Sequence, residues 1–200
     1  MTAGEPHRKR VKHYHDPGDL HELTFSCYRR LQLLANDAWR TNLARSIDAA
    51  MAKWSMRLIA FVFMPEHVHL LVLPLTNEPQ IDKLLADIKR PCSVAAKGDL
   101  LQSGAKLLDK LTIRTRPGVT AFRYWQEGPG YDRNLKSEAA VMACIEYIHA
   151  NPVKRRLCKQ ASQWRWSSAC WYESDGRLCD SRLPQIHRLP SEFFESPVVE

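Results

Sequence analysis

Residues 61–72 read "FVFMPEHVHLLV": an apolar run, a Met-Pro turn, and a second run in which His67 and His69 alternate with aliphatic residues. This pattern predicts two antiparallel strands, at 56–63 and 67–73, joined by a tight turn. Because successive side chains of a strand point to opposite faces, both imidazoles lie on one face and the aliphatic residues on the other. Two histidines on one strand face are not needed to form an apolar core, whereas a metal site requires such ligands.

Two further strands are predicted from alternating or β-rich segments. Residues 23–28, "LTFSCY", alternate apolar and polar side chains, and residues 119–126, "VTAFRYWQ", predict a fourth strand. Residues 92–118 have no clear period, and a loop, "EGPGYDRN", follows the fourth strand.

Two helices are predicted between the strands. The first is capped by Asn36 or Asp37 and carries apolar residues at helical spacing. The second has Pro79 in its first turn and is expected to end or kink at Pro91. The resulting order is β-α-β-β-α-β, which predicts an α+β, ferredoxin-like fold: a four-stranded antiparallel sheet with two helices on one face and the other face open.

A third helix is predicted after Ser137 and is expected to close at Asn151, because the following proline disfavours helical geometry at the residue before it. Tyr147 and Asn151 lie one turn apart on a single flank of this added helix, whereas His149 points away from that flank. Tyr147 is therefore a candidate site residue, and the alternative is a packing residue with a solvated hydroxyl.

Composition indicates one soluble domain with a polyanionic partner. The chain has 200 residues, 44% apolar content, a net charge of +7 and no apolar run of membrane-spanning length. The N-terminus lacks a secretory pattern and the six cysteines form no Cys-x-x-Cys pair, which predicts a cytoplasmic protein with reduced thiols. We divide it into a basic tail (1–20), a domain (21–172) and a C-terminal tail (173–200). Two basic clusters are predicted to contact nucleic acid: Arg8, Lys9, Arg10 and Lys12, and Lys154, Arg155 and Arg156.

Several motifs, in order, resemble the REP-associated tyrosine transposases, a branch of the single-tyrosine HUH transposases and nucleases. They are "LTFSCY", "FMPEHVHLLV", "YWQEG" with "YDRNL", "YIHANPVKR" and "WRWSSA", between residues 23 and 172. Residues 92–118 and the last stretch of about 25 residues match nothing in that pattern. Each motif is weak by itself, but their common order makes the resemblance specific.

The resemblance implies a site and a reaction. His67 and His69 would bind a divalent metal, Mg²⁺ or Mn²⁺, Asn151 would match an amide ligand, and Tyr147 would be the nucleophile. Such relatives cut single-stranded DNA beside imperfect hairpins, form a 5′-phosphotyrosine bond and leave a free 3′-OH. They include monomers and domain-swapped homodimers. A cation that neutralises charge on a phosphodiester, with open coordination positions, suits this chemistry.

Two other functions remain open at this stage. The same sheet could bind nucleic acid without cutting it, or a metal-dependent phosphodiesterase could use water, with Tyr147 only positioning the substrate. Neither alternative explains as well why the two histidines and the tyrosine occur together. Single strands are also held by aromatic stacking, and the candidates for stacking, each of which is more typical of a core residue, are Tyr124, Trp125, Tyr131, Trp164 and Trp166.

Overall fold

The structure is a computed structural model and describes residues 19–128, 130–178 and 180–190. Its main sheet has four antiparallel strands. In spatial order they are β2 (Met56–Phe63), β3 (His67–Pro74), β1 (Leu20–Ser26) and β6 (Tyr131–Leu135). Two further strands, β4 (Thr112–Arg116) and β5 (Val119–Phe122), form a separate hairpin.

Five α-helices lie in the described part of the chain. They are α1 (Asp37–Lys53), α2 (Ile81–Ser103), α3 (Leu107–Leu111), α4 (Glu138–Lys154) and α5 (Ala169–Glu173). The predicted N-caps of α1 and α4 are confirmed, since the Asn36 side chain accepts a hydrogen bond from Trp39 N and the Ser137 side chain from Ala140 N. None of the described helices is long and apolar enough to cross a membrane.

The predicted fold class is confirmed: β1, α1, β2, β3, α2 and β6 follow the β-α-β-β-α-β order. The position of the fourth strand was wrong. Residues 119–122 pair with β4, and Trp125 forms only an isolated bridge with Cys27, just past the end of β1. The true fourth strand, β6, lies in the predicted loop, because an edge strand with one neighbour and one sheltered face carries little apolar patterning.

Neither of two prolines ends its helix: Pro91 was expected to end or kink α2, and Pro152 was expected to close α4 at Asn151. Pro91 lies inside α2, whose apolar stripe continues through the buried Cys92 and Ala96, so packing holds the helix beyond the lost hydrogen bond. Pro152 lies inside the last turn of α4, where Arg155 N still donates to Asn151 O at 3.0 Å. Tertiary packing and the remaining hydrogen bonds outweigh the local preference in both places.

The sheet separates two apolar clusters. Val68, Leu70 and Val72 of β3 pack with α1 and α2 in the larger cluster. On the opposite face, residues such as Leu71 pack with α4, including Ile148, in the smaller cluster. The face that was expected to be open is therefore partly covered by α4, and the uncovered part lies over β1, the start of β3 and β6.

Candidate active site

The floor of the uncovered region follows from strand register. Thr24 of β1 lies opposite His69 of β3 on one side and opposite Tyr131 of β6 on the other. Ser26 lies opposite His67 in the neighbouring row. Because alternate residues of a strand share a face, these side chains form one polar surface beside the apolar cluster under α4. A cleft of about 460 Å³ opens over it, lined by Glu22, Thr24, Ser26, Arg30, His67, His69, Tyr131, Arg133 and Tyr147.

The histidine pair lies in this cleft, as the sequence predicts. The ring centroids of His67 and His69 are 4.9 Å apart, and the planes are nearly perpendicular at 81°. Nδ1 of His69 is 2.8 Å from Thr24 Oγ1, and Nδ1 of His67 is 3.1 Å from Glu66 Oε1. Each ring is thus held through Nδ1, which leaves Nε2 as the nitrogen that could bind a cation.

Burial favours the neutral form of both rings. Burial lowers the pKa of His69 to about 4, and the positive charge of Arg30 acts in the same direction. Burial also lowers the pKa of His67 below its ordinary value, although the neighbouring Glu66 opposes this shift. A neutral imidazole offers a lone pair, so the environment of the pair favours ligation over protonation.

Glu66 connects the histidine turn to the end of α4. Its carboxylate accepts a hydrogen bond from Arg155 Nη1 at 2.7 Å and contacts His67 through the same oxygen, Oε1. Burial alone would raise the pKa of Glu66, but the hydrogen bond from Arg155 and the charge of that guanidinium hold it below its ordinary value. Glu66 is therefore an anion that fixes the orientation of His67, a role that the sequence analysis did not assign to it.

Tyr147 of α4 closes the cleft beside the histidines. Its ring meets the ring of His69 edge to face, with centroids 5.4 Å apart and planes at 90°. The side chain is 42% exposed, and the Lys154 ammonium lies 5.2 Å from the ring centroid. The structure therefore brings together the predicted tyrosine and both predicted histidines, and it leaves the tyrosine accessible to a substrate in the cleft.

Asn151 is placed differently from the other predicted ligands. It is buried, its Nδ2 donates to the backbone oxygen of Tyr147 at 2.9 Å, and it does not line the cleft. Its role as a metal ligand stays a prediction. His149 points away from the cleft, as predicted, and its Nε2 contacts Ser168 Oγ at 2.8 Å. Burial lowers the pKa of His149 to about 4, and its ring packs against the ring of Tyr172 with centroids 5.1 Å apart.

The basic residues that were predicted to contact DNA divide into two groups. Arg8, Lys9, Arg10 and Lys12 lie outside the described residues. Lys154, Arg155 and Arg156 are exposed at the end of α4, where Lys154 lies over Tyr147 and Arg155 is bound to Glu66. Lys154 thus contacts a residue of the cleft and Arg155 contacts Glu66 beside His67, and the contact of all three residues with DNA stays a prediction.

The sequence pattern did not indicate the residues that β6 and the loop after β1 bring to the site. Arg133 of β6 pairs with the buried Glu22 of β1 at 2.9 Å, and Arg30 stands in a left-handed conformation with φ +52°. Once the register between β1 and β6 is known, alternation along "YDRNL" places Tyr131 and Arg133 on the site face. Of the predicted stacking residues, Tyr124, Trp125 and Trp166 are buried in the core, whereas Tyr131 is 51% exposed in the cleft.

The donor set fits a divalent cation bound through two imidazoles. Within the described ranges, Nε2 of His69 is buried without a hydrogen-bond partner, the state expected of a ligand atom. The Glu66–His67 contact is the carboxylate–histidine arrangement that commonly supports metal ligands. No cluster of three or more His, Cys, Asp or Glu side chains in the described residues could hold a metal. A cation here would therefore take its remaining ligands from an amide, water or substrate, as Mg²⁺ and Mn²⁺ do.

Comparison with known proteins supports the fold. A REP-associated tyrosine transposase, solved bound to a REP hairpin, is similar over 92% of this chain and 99% of its own chain, with a TM-score of 0.64 and 19% identity. A protein of Deinococcus radiodurans R1 that is provisionally assigned as a transposase is similar over 76% of this chain and 97% of its own, at 16% identity and a TM-score of 0.43. No protein-family model and no curated protein matches the sequence. The first similarity shows that the chain has the fold of a REP-associated tyrosine transposase, which the motifs predict.

Proposed function

We propose that this protein is a metal-dependent, single-stranded DNA endonuclease and strand transferase that uses Tyr147 as its nucleophile. The observation that carries the proposal is the contact of the exposed Tyr147 ring with His69, in the cleft that also contains His67. A tyrosine beside a pair of neutral, oriented imidazoles suits attack on a phosphodiester better than it suits packing. The motifs that resemble single-tyrosine transposases support the same function.

The reaction exchanges one phosphodiester bond for another. The Tyr147 oxygen attacks the scissile phosphorus and loses its proton, a phosphotyrosine bond forms, and the bond from phosphorus to the 3′ oxygen breaks. The 3′ oxygen takes up a proton and leaves as a free 3′-OH, so the proton count is unchanged. Because the new bond conserves the energy of the old one, a 3′-OH can later reverse the step and join DNA.

His67 and His69 would bind the cation, Mg²⁺ or Mn²⁺, with Asn151 as the predicted third protein ligand. Bound there, the cation supplies charge neutralisation at the attacked phosphate. Glu66 keeps Nδ1 of His67 occupied, and Thr24 does the same for His69, so both Nε2 atoms are available. Lys154 lies over the Tyr147 ring and Arg155 is bound to Glu66, so both would add positive charge near a DNA backbone in the cleft.

The proposed partner is single-stranded DNA with an imperfect hairpin. The similar transposase was solved with a REP hairpin, and the basic clusters of this chain suit a phosphate backbone. Whether the protein acts as a monomer or a homodimer does not alter the proposed chemistry, because one chain contributes the tyrosine and both histidines.

A labelled-DNA assay tests the proposal. Oligonucleotides that tile the DNA on either side of the gene are incubated with Mn²⁺ and resolved on denaturing gels. A 3′-labelled strand should become covalently attached to the protein, and a 5′-labelled strand should be released with a 3′-OH. Tyr147→Phe should abolish both products, whereas Tyr131→Phe, which removes the other exposed tyrosine of the cleft, should keep the adduct.

The same assay separates the alternatives. Binding without any cleavage by the wild-type protein would favour a nucleic-acid-binding module. Cleavage without an adduct would favour a hydrolase that uses water. An adduct that persists in Tyr147→Phe and disappears in Tyr131→Phe would identify Tyr131 of β6 as the nucleophile. Tyr124 is not a suitable nucleophile, because it is 1% exposed and burial raises its pKa far above the ordinary value.

A further inference from the structure

A second cleft continues from the candidate active site along the end of β1. Its volume is about 230 Å³, and it shares Thr24, Ser26, Arg30 and Tyr131 with the first cleft. Since the shared residues form a common wall, an extended ligand in the first cleft can pass into the second without leaving the protein surface. We call the second space the flanking cleft.

Lys89 of α2 lines the flanking cleft, and contacts fix both its backbone and its side chain. Its backbone oxygen accepts a hydrogen bond from Trp125 Nε1 at 2.9 Å, and its ammonium lies 4.9 Å from the ring centroid of Phe25. Burial lowers the pKa of Lys89 to about 8. A lysine in a sheltered position loses solvation without losing all of its charge at neutral pH, so it favours an anion that approaches through the cleft.

No carboxylate in the described residues forms an ion pair with Lys89. Glu127 is the one acidic residue among those that line the flanking cleft, and it faces Arg123 at 3.6 Å. Arg30, on the wall shared with the active site, adds a second positive charge to the flanking cleft. The electrostatic balance of this cleft therefore favours an anion.

The positive surface continues beyond Lys89. This lysine also lines a third cleft, with Arg90 and Lys97. Asp87 is the acidic residue there, and its Oδ2 is already bound by Lys53 at 2.7 Å and by Trp54 Nε1 at 2.9 Å. Arg30, Lys89, Arg90 and Lys97 would therefore lie near the phosphates of a strand that extends from the first cleft. Lys89 belongs to both the flanking cleft and the third cleft.

We propose that Lys89 and the flanking cleft bind a backbone phosphate of the single strand next to the nucleotide that is cut. This inference rests on the proposed function, because it takes the ligand of the first cleft to be single-stranded DNA. Lys89 is a binding residue for the flanking strand and takes no part in the bond exchange. Phosphate contacts of this kind fix the register of a strand and are independent of its sequence.

Affinity measurements on two neutralised lysines of α2 test the inference. Lys89→Met and Lys83→Met are compared by fluorescence anisotropy with labelled (dT)20 in chelator, in the Tyr147→Phe background so that no cutting occurs. Lys83 is a matched control because it is also in α2 and also lies near an aromatic ring, that of Trp54, at 5.5 Å. We expect Lys89→Met to bind about 3- to 10-fold more weakly and its salt slope to fall by about 0.7, whereas Lys83→Met changes neither.

Two further arms separate a phosphate contact from other roles of Lys89. Lys89→Arg should keep most of the affinity, because it keeps the charge. An abasic 20-mer, which has phosphates and no bases, should show the same loss with Lys89→Met as (dT)20 does. Equal affinities of Lys89→Met and Lys83→Met, a loss with an unchanged salt slope, or a loss seen with (dT)20 alone would each overturn the inference.

The affinity measurements and the adduct assay can fail separately. If no adduct forms with the wild-type protein, the nuclease function fails while the affinity data still report on Lys89. If the adduct forms, Lys89→Met should reach the wild-type rate at saturating DNA with a raised KM. A reduced rate at saturation would contradict a pure binding role.

Discussion

The two faces of the main sheet have the same strands and opposite characters. On the face toward α1 and α2, the β3 side chains are Val68, Leu70 and Val72, which pack in the larger apolar cluster. On the other face, the same strand presents His67 and His69, which are buried yet polar. A difference of one residue along the strand thus separates positions that stabilise the fold from positions that carry the proposed chemistry.

The face toward α4 is itself divided. Its apolar part packs Leu71 and Leu73 against α4, and its polar part opens into the cleft with Glu22 and the histidines. Buried polar groups cost free energy unless they are paired, and on this face the structure pairs Glu22 with Arg133 and Glu66 with Arg155. Within the described residues, His69 Nε2 is buried on this face without a hydrogen-bond partner. An arrangement of buried polar groups that leaves such an atom available suits the binding of a ligand.

The largest expected effect comes from adjacent residues of β3. His69→Ala should reduce cleavage by more than about 100-fold and lower the free energy of unfolding by only about 1 kcal/mol, because its ring loses the contact with Thr24 Oγ1 but lies outside both apolar clusters. Leu70→Ala should instead destabilise the fold by about 2–5 kcal/mol, the range for a large cavity in a core, and retain activity per folded molecule. His67→Ala should behave like His69→Ala.

Thermal unfolding and cleavage rates of the three variants check this contrast. Wild-type cleavage by either histidine variant in chelator-treated buffer would show that the metal assignment is wrong. A Leu70→Ala protein that is fully folded and inactive would show that the two faces are not separate in function.

A smaller effect is expected at Glu66, which orients His67. Glu66→Gln keeps the shape and removes the charge, so we expect cleavage to need about 10-fold more Mn²⁺, as for other residues that support metal ligands. Arg155→Met should cause a shift in the same direction, because it frees the Glu66 carboxylate. Arg156→Met is the control, since this neighbouring arginine is exposed and forms no ion pair in the described residues. A Mn²⁺ titration that is identical for Glu66→Gln and the wild type would remove Glu66 from this role.

Asn151 should have a milder effect than the histidines. Asn151→Ala should raise the Mn²⁺ concentration needed for half-maximal cleavage, and Asn151→Gln should keep partial activity, because it retains an amide oxygen. Asn151→Ala should also lower the free energy of unfolding by about 1 kcal/mol, because it removes the hydrogen bond to Tyr147 O. An unchanged midpoint in the Asn151→Ala titration would show that the amide is no ligand and only stabilises the last turns of α4.

The smallest expected effect concerns the N-terminal basic cluster. Deleting residues 1–12 should weaken binding to all single strands alike and lower the slope of log affinity against log salt, since each lysine or arginine that contacts a phosphate releases counterions. Affinity measured at several salt concentrations checks this. A slope equal to that of the full chain would show that Arg8, Lys9, Arg10 and Lys12 make no backbone contacts.

The sequence predicted the parts of the fold in which local pattern and tertiary packing agree. The bounds of β2, the start of β3, and the caps Asn36 and Ser137 all follow from alternation or capping chemistry. The errors lie where packing outweighs local preference. Pro91 and Pro152 remain inside helices, and the edge strand β6 has an apolar pattern too weak to recognise.

As with the fold, the sequence predicted the residues of the candidate site that stand in local motifs. His67, His69 and Tyr147 stand in motifs whose spacing fixes their faces, and the structure places them in one cleft. Arg30 and Arg133 were missed because their place depends on the loop after β1 and on the register of β6, which are long-range features. Glu66 was visible in the motif, but its partner Arg155 is 89 residues away in sequence.

Mapping the protein–DNA adduct by mass spectrometry tests the central claim most directly. The wild-type protein is incubated with a cleavable single strand and Mn²⁺, the DNA is trimmed with nuclease, and the protease-digested peptides are searched for a nucleotide-modified tyrosine. The account predicts that the modification lies on Tyr147, with the nucleotide attached through its 5′ phosphate. A modification on Tyr131, or cleaved DNA with no modified tyrosine, would contradict it.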